Sequence, residues 1–256
     1  MNYYGILISL LFLYMSIWFL ISLQKKRNDI TDVAWGLGFT LMAWTSFLIS
    51  DGVAGLRGLF VCVLVSIWGL RLAWHIYNRN KNKTEDYRYL TWRKDWGKWF
   101  YLRSYFQVYL LQGMFLFLII FPVLLINKSN ESTFGILDFI GLIIWIFGFY
   151  FEVVGDAQLA KFIKNPENKG KLLTSGLWSY TRHPNYFGEV TQWWGLWFIA
   201  LPVAGGWIGI IGPLTITFLI LKVSGIPLLE KKMEENPDFA KYKKRVSVFL
   251  PMLPRR

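Results

Sequence analysis

Charged residues are scarce in this sequence, and their scarcity excludes most classes of soluble protein. Only 17% of the 256 residues are charged, whereas 54% are hydrophobic and 19% are aromatic. A soluble globular domain carries about 25% charged residues. Several apolar runs reach the roughly 18 residues that a membrane-spanning helix needs. The sequence therefore predicts an all-α integral membrane protein, with residues 1–256 forming a single membrane domain.

Cysteine and histidine are almost absent, which limits metal and redox chemistry. The single cysteine, Cys62, lies in an apolar run, so no intrachain disulfide is possible and we expect a small buried side chain there. The two histidines, His75 and His183, are too few for a structural zinc site beside one cysteine. We expect no bound metal.

The usual nucleotide-binding motifs are also missing. No phosphate-binding loop pattern occurs, and Gly36 and Gly38 form G-x-G without the third glycine of a dinucleotide-binding turn. These two glycines lie inside an apolar run and not between a strand and a helix. Any nucleotide must therefore be held by helices and loops.

Seven apolar runs predict seven transmembrane helices. The first run is followed, not preceded, by a basic cluster and lacks a small-residue cleavage site, so we expect a retained anchor. The predicted spans are 3–23, 33–50, 54–77, 105–126, 134–158, 185–203 and 206–228.

The basic residues are distributed asymmetrically around these spans. Four segments on one side (24–32, 71–104, 159–184 and 222–256) hold 26 of the 28 lysines and arginines. Such asymmetry places the basic side in the cytosol. We therefore expect the amino terminus outside and the carboxyl terminus in the cytosol, where residues 230–256 form a short amphipathic tail at the membrane surface. The net charge of +12 then reflects topology and contact with membrane lipids, not nucleic-acid binding.

Polar side chains occur near the predicted cytosolic ends of five spans. Polar groups from several helices at one depth predict a cavity filled by water or ligand, since lipid does not solvate them. For any one of them, the alternative is a structural pair or a side chain that extends to the headgroups. These residues are Asp32, Arg71, His75, Glu152, Asp156, Asn185, Glu189 and Lys222.

The stretch GLWSYTRHPNYFGE, residues 176–189, has the composition of an anion site. Pro184 suits the first turn of a helix, so free N–H groups and the positive helix end would lie beside Arg182 and His183. Asn185 and Glu189, with Trp193 one turn further, share a face of that helix. Their amide and carboxylate suit hydroxyls, an amide or a base edge.

Two basic loops would add positive charge to the same side. KFIKNPENKGK, which contains Lys164, Asn168 and Lys171, precedes the stretch just described, and NRNKNKTEDYRY follows the third span. Both a nucleotide and a lipid headgroup fit these residues, and the spacing does not choose between them.

Longer motifs carry a family resemblance. DVAWGLGF, FEVVGDAQLAKF, NKGKLLTSGLWSYTRHPNYFGE and SGIPLLEKKM resemble the membrane steroid 5α-reductase superfamily, in particular its bacterial branch, long described as a domain of unknown function. The match runs from about Asp32 to the carboxyl terminus. The resemblance implies a seven-helix reductase that uses NADPH to saturate a carbon–carbon double bond of a steroid-like or other lipophilic enone. It also implies a bacterial inner membrane location with the cofactor in a cavity that faces the cytosol.

The resemblance implies specific cofactor contacts. Asn185 and Glu189 match the family's cofactor-holding residues, Trp193 its aromatic neighbour, and Asp156 an acid that anchors the basic loop. The clustered positive charge favours NADPH over NADH, because the additional phosphate needs additional cations. The full set of expected cofactor residues is Arg79, Lys81, Asp156, Lys164, Asn168, Lys171, Arg182, His183, Asn185, Tyr186, Glu189, Trp193 and Lys222.

The sequence departs from the animal steroid reductases where those enzymes polarise the steroid ketone. It has neither their early Gln-Glu pair nor the tyrosine of their third region. The departure argues against a 3-keto steroid in particular, and sterol, steroid, polyprenyl and fatty enones all stay open as substrates. Asp32, Tyr87 and Glu152 are the candidate proton donors, each with a structural role as the alternative.

Two other functions remain open. Isoprenylcysteine and phospholipid methyltransferases share a related R-H-P-x-Y-x-G stretch and bind S-adenosylmethionine, which has no phosphate groups. The second alternative function is that of a non-enzymatic lipid-binding protein. Its cavity would hold lipid headgroups and would retain no cofactor. The oligomeric state is left open.

Overall fold

A computed structural model describes residues 2–50, 55–129 and 133–255 of the chain. Within these ranges the protein is helical and contains no β-strand, although an isolated parallel bridge joins Thr181 and Ser247. The chain divides into two compact units, Met1–Phe134 with Val203–Gly209 and Gly135–Pro202 with Ile210–Arg256.

The first unit contains the amino-terminal helices. The Asn2 side chain caps the first of them by accepting from the Gly5 N–H at 2.7 Å, and Lys26 ends it in the left-handed conformation. A π-helical turn, Tyr105–Leu110, lies between the fifth and sixth. The helices are α1 (Tyr3–Lys25), α2 (Thr31–Leu48), α3 (Gly55–Asn80), α4 (Tyr87–Trp96), α5 (Phe100–Ser104), α6 (Leu111–Ile119) and α7 (Phe121–Lys128).

The second unit contains the stretches that the sequence analysis assigned to the site. A 3₁₀ turn, Gly176–Ser179, lies in the connection between its two longest helices, and a second π-helical turn, Leu219–Val223, follows its third helix. The helices are α8 (Ile136–Lys164), α9 (Pro184–Ala200), α10 (Ile211–Phe218), α11 (Ile226–Met233) and α12 (Phe239–Arg245).

Five helical stretches of the described chain are long and apolar enough to cross a membrane. They are Tyr3–Lys25, Gly55–Asn80, Tyr87–Ile119, Ile136–Lys164 and Gly206–Met233. The other two predicted spans, 33–50 and 185–203, correspond to α2 and α9, which have 18 and 17 residues. The protein is thus a multi-pass membrane protein, and the count of seven spans stays a prediction.

The fourth predicted span, 105–126, has different boundaries in the structure. Helical residues begin at Tyr87, because the basic segment before residue 105 contains no proline and continues the helix in short α and 3₁₀ turns. The stretch ends at Ile119, and α7 begins at Phe121 with Pro122 in its first turn. Proline lacks an N–H and its ring obstructs the preceding turn, so a new helix starts there.

α8 and α9 are antiparallel neighbours that pack through glycine. A Cβ added at Gly148 would lie 2.6 Å from the Gly188 carbonyl oxygen, and one added at Gly195 would lie 2.6 Å from the Gly141 carbonyl oxygen. Two turns beyond Gly148 on α8, a Cβ at Gly155 would meet the Asn185 backbone nitrogen at 3.1 Å. Small residues allow membrane helices to approach this closely. The short approach brings side chains of the two helices within hydrogen-bonding distance of each other.

Candidate functional site in the second unit

Two hydrogen bonds join α8 to α9 through polar side chains, of which only Asn185 is half-buried and the others are buried. Asn185 Nδ2 donates to Asp156 Oδ1 at 3.1 Å, and Gln192 Nε2 donates to Glu152 Oε2 at 2.5 Å. Glu152, Asp156 and Gln192 are all buried. Glu152 and Asp156 are four residues apart on α8, so both contacts lie on one face of the helix pair.

Gln192 has a further unmet hydrogen-bonding group. Its Nε2 also donates to the Gly188 carbonyl at 3.3 Å, whereas its Oε1 is buried without a hydrogen-bond partner in the part of the chain that the structure describes. A buried acceptor without a donor costs about 1–3 kcal/mol. The side chain is therefore suited to accept from a bound polar group.

The connection between α8 and α9 is held against α8. The Leu177 N–H donates to Gln158 Oε1 at 3.0 Å, and Trp178 Nε1 donates to the Gly155 carbonyl at 3.2 Å. Tyr242 of α12 donates to the Trp178 carbonyl at 2.5 Å, and burial raises the pKa of that phenol. These bonds position the chain that enters α9 at Pro184.

Arg182 and His183, both predicted to bind an anion, contact a carboxylate of the chain itself. Glu230 of α11 accepts from Arg182 Nε at 2.7 Å and lies 3.1 Å from His183 Nε2. Arg182 also donates to the Lys243 and Val246 carbonyls at 3.2 and 2.6 Å. Both side chains are buried, so this cluster joins the start of α9 to the carboxyl-terminal helices.

The basic loop after α8 surrounds a cavity of about 330 Å³. Asn168 shapes the loop by donating to the Phe162 carbonyl at 3.0 Å, and Gly170 supports the turn with a φ of 81°. Asn236 donates to the Gly170 carbonyl at 2.6 Å and ties the loop to the tail. The cavity is lined by Phe162, Ile163, Asn165, Pro166, Asn168, Lys169, Gly170 and Lys171.

The remaining predicted residues of the second unit lie around these groups. Tyr186 stacks on His183 with ring centroids 5.9 Å apart, and Trp193 is buried. Glu189 is half-buried on α9 between Asn185 and Trp193. Lys164 and Lys222 are exposed, the first at the end of α8 and the second in a π-helical turn.

The first unit holds Asp32, Arg79, Lys81 and Tyr87. Arg88 lies 3.5 Å from Asp32 and 3.0 Å from Asp86, which caps α4. Burial alone would raise the pKa of Asp86, but donation by the side chain and backbone of Arg88 lowers that pKa. Arg79 and Lys81 are exposed, and Arg79 Nε donates to Asn80 Oδ1 at 3.1 Å. Tyr87 is 45% exposed at the first turn of α4.

Three residues of the candidate site were not predicted. Gln192 was not considered, although it lies seven residues after Asn185 on the same helix. Lys169 lies in the predicted basic loop between two chosen residues. Glu230 carried no local signal, because its partners are 47 and 48 residues away in the sequence.

The fold and the site together define a helical multi-pass membrane protein with a buried polar cluster between two closely packed helices. The chain belongs to the family described as a protein of unknown function, DUF1295, whose model matches residues 18–246. That family is related to the steroid 5α-reductase superfamily.

Three relatives show how far the similarity extends. An uncharacterized protein of Schizosaccharomyces pombe is 24% identical over 91% of this chain and 75% of its own length. A probable O-methyltransferase of Ustilaginoidea virens is 41% identical over 26% of this chain and 22% of its own. A steroid 5-alpha-reductase of Gossypium hirsutum is 31% identical over 32% of this chain and 31% of its own. The chain thus spans less than a third of the two relatives with a described activity. No solved structure matches it.

Proposed function

We propose that this protein is a membrane reductase that uses NADPH to saturate a carbon–carbon double bond of a lipophilic enone. The observation that carries the proposal is the pair of hydrogen bonds between α8 and α9, Asn185 to Asp156, which is partly buried, and Gln192 to Glu152, which is buried. The similarity to the steroid 5-alpha-reductase of Gossypium hirsutum supports the same reading.

The residues of the second unit fit a phosphate-bearing nucleotide. Lys169 and Lys171 line the cavity of the basic loop and supply charge for phosphate groups, and Asn168 supplies an amide. Asp156 lies eight residues before Lys164, the last residue of α8, which is about 12 Å at 1.5 Å per residue. There Asp156 and Asn185 offer a carboxylate and an amide to hydroxyl groups or to a carboxamide. Gln192 Oε1, which has no hydrogen-bond partner among the described residues, adds an acceptor.

Arg182 and His183 fit a different role from the predicted one. Both contact Glu230, and Arg182 uses further N–H groups on two backbone carbonyls. We propose that they hold the entry to α9 in place and do not contact phosphate directly. The basic loop then supplies the phosphate contacts.

The chemistry divides between cofactor and chain. When bound, NADPH supplies the hydride that reduces the β carbon of the enone. The chain excludes water, orients the two reactants and donates a hydrogen bond to the enone oxygen, where negative charge develops. Saturation also needs a proton at the α carbon, and a carboxyl group can donate one only when it is protonated. Of the proposed donors Asp32, Tyr87 and Glu152, we favour Glu152 in its protonated form, which is buried one turn from Asp156.

A methyltransferase is the second candidate function. The 41% identity with the probable O-methyltransferase of Ustilaginoidea virens favours it over a short stretch. S-adenosylmethionine has no phosphate group, so this function would leave the lysines of the loop without a ligand. The basic loop therefore supports the reductase.

The test is turnover by the purified protein in mild detergent. We expect NADPH to be oxidised when steroid, sterol, polyprenyl or fatty enones are supplied, and Asn185→Ala to abolish oxidation. Methyl transfer from S-adenosylmethionine would instead support the second candidate. Absence of any cofactor binding, with lipid retained, would indicate a non-enzymatic lipid-binding protein.

A further inference from the structure

A groove of about 570 Å³ lies on the first unit between α1 and the stretch Tyr87–Ile119. Both of its walls belong to stretches that are apolar enough to cross a membrane, so we expect the groove to face the lipid. Its lining is almost entirely aromatic or aliphatic. The lining residues are Phe19, Leu23, Tyr101, Leu102 and Tyr105.

Aromatic contacts form one end of the groove. The hydroxyl groups of Ser16 and Tyr105 are hydrogen-bonded at 2.9 Å, and the Phe19 ring lies 4.9 Å from that of Tyr105. Tyr105 also begins the π-helical turn that ends at Leu110. Such turns insert a residue into a helix and occur frequently at functional sites.

Exposed lysines lie next to the lining residues in the sequence. Lys25 and Lys26 follow Leu23 at the end of α1, and both are exposed. Lys98 lies four residues before Leu102, in the 3₁₀ turn Gly97–Trp99 that directly precedes α5, and is exposed.

The three lysines have no acidic partner among the described residues, whereas two neighbouring arginines do. Arg27 is paired with Asp29, and Arg93 is paired with Glu85. For Lys25, Lys26 and Lys98, by contrast, the described residues show no acidic partner within 4.0 Å. Lys98 Nζ lies 5.7 Å from the centroid of the Trp99 ring, a contact that does not neutralise its charge. The apolar lining of the groove is therefore flanked in the sequence by cations that have no carboxylate partner among the described residues.

We propose that this groove binds an acyl chain of an anionic glycerophospholipid, with the lipid phosphate against Lys25, Lys26 and Lys98. The apolar walls suit the chain, and the lysines suit a headgroup of net negative charge. A zwitterionic phosphatidylcholine brings its own cation to the same lysines and is bound less well. The proposal does not depend on the proposed reductase activity.

Native mass spectrometry of the full-length protein tests the proposal. The protein is mixed with equal amounts of palmitoyl-oleoyl phosphatidylglycerol and palmitoyl-oleoyl phosphatidylcholine, and we expect phosphatidylglycerol to be retained preferentially. Each of Lys25→Gln, Lys26→Gln and Lys98→Gln should weaken its retention about fivefold, since each basic residue near an anionic lipid contributes about a fivefold factor. These side chains are exposed, so the substitutions leave the core unchanged.

A second pair of variants tests the groove itself. Leu102→Trp fills the groove and should reduce retention of phosphatidylglycerol. Ile17→Trp places the same side chain at another exposed position of α1, outside the groove lining, and should not. Equal retention of the two lipids by the parent, or equal losses in the two tryptophan variants, would indicate general annular lipid and overturn the proposal.

Discussion

Asn185 reaches Asp156 because Gly155 leaves room for the first turn of α9 against α8. Any side chain at Gly155 would push against the Asn185 backbone nitrogen, 3.1 Å from the added Cβ, and would separate the two polar groups. Both residues of this pair were predicted from the sequence, since each carries a polar group at the end of an apolar run. Their contact with each other could not be predicted in this way, because the contact depends on how two helices pack.

The first prediction concerns this pair. Asp156→Ala and Asn185→Ala should each remove most of the thermal stabilisation that NADPH gives, because a hydrogen bond to a charged group contributes about 1.5–3 kcal/mol. Each shift is measured from the variant's own cofactor-free unfolding temperature. Thr191→Val is the matched control, since Thr191 Oγ1 bonds the Phe187 carbonyl of its own helix at 2.7 Å. Unchanged stabilisation in both alanine variants would remove these residues from the proposed site.

The second prediction concerns Glu230. Glu230→Ala should lower the free energy of unfolding by about 3–5 kcal/mol, because it leaves the buried Arg182 cation without its carboxylate. Glu234→Ala is the control, since Glu234 is exposed and its Lys243 contact at 3.4 Å is worth little. Unfolding by denaturant measures the free energy of unfolding of both variants and of the parent. If Glu230→Ala tightened NADPH binding without loss of stability, Arg182 would be a phosphate ligand after all.

The observed helix boundaries lie close to the predicted ones where an apolar run ends at charged residues or at proline. Pro184 begins α9 as expected, and α1 and α3 extend only two and three residues beyond their predicted ends. The largest error was at Tyr87–Ile119, where a more polar, basic segment continues the helix that was predicted to start at residue 105. Hydropathy detects the apolar part of such a helix and does not detect its polar extension.

The third prediction concerns the glycine contact between α8 and α9. Gly188→Ala should destabilise the protein by about 1–3 kcal/mol, because its added Cβ meets Glu152 Cβ at 2.8 Å. Gly135→Ala is the matched control, since an added Cβ at that position meets only Asp138 Oδ2, at 4.0 Å. Thermal unfolding in detergent measures both. Equal stability of the two variants would show that the helices can separate at little cost.

At the scale of the whole molecule, composition was sufficient to predict an all-helical membrane protein, and the family match agrees with the superfamily that the motifs indicated. Composition could not predict contacts between side chains that are distant in the sequence. The pairing of Glu230 with Arg182 depends on how α11 packs, and no local pattern encodes that. The number of spans, their orientation and the bacterial inner membrane location remain proposals that rest on charge distribution and resemblance.

The fourth prediction tests that orientation. In a Cys62→Ala background, Glu167→Cys should react with a membrane-impermeant maleimide only after permeabilisation, because its loop is placed on the cytosolic side. Lys128→Cys, on the opposite side, should react in intact cells. Both parent side chains are exposed, so burial does not mask the result. The reverse labelling pattern would place the candidate site outside the cell.

The central claim, that the second unit holds a phosphate-bearing cofactor, is tested most directly by a parallel titration of the purified protein with NADPH and S-adenosylmethionine. Thermal unfolding should shift upward with NADPH at concentrations where S-adenosylmethionine has no effect. An equal or larger shift with S-adenosylmethionine, or no shift with NADPH, would contradict the account.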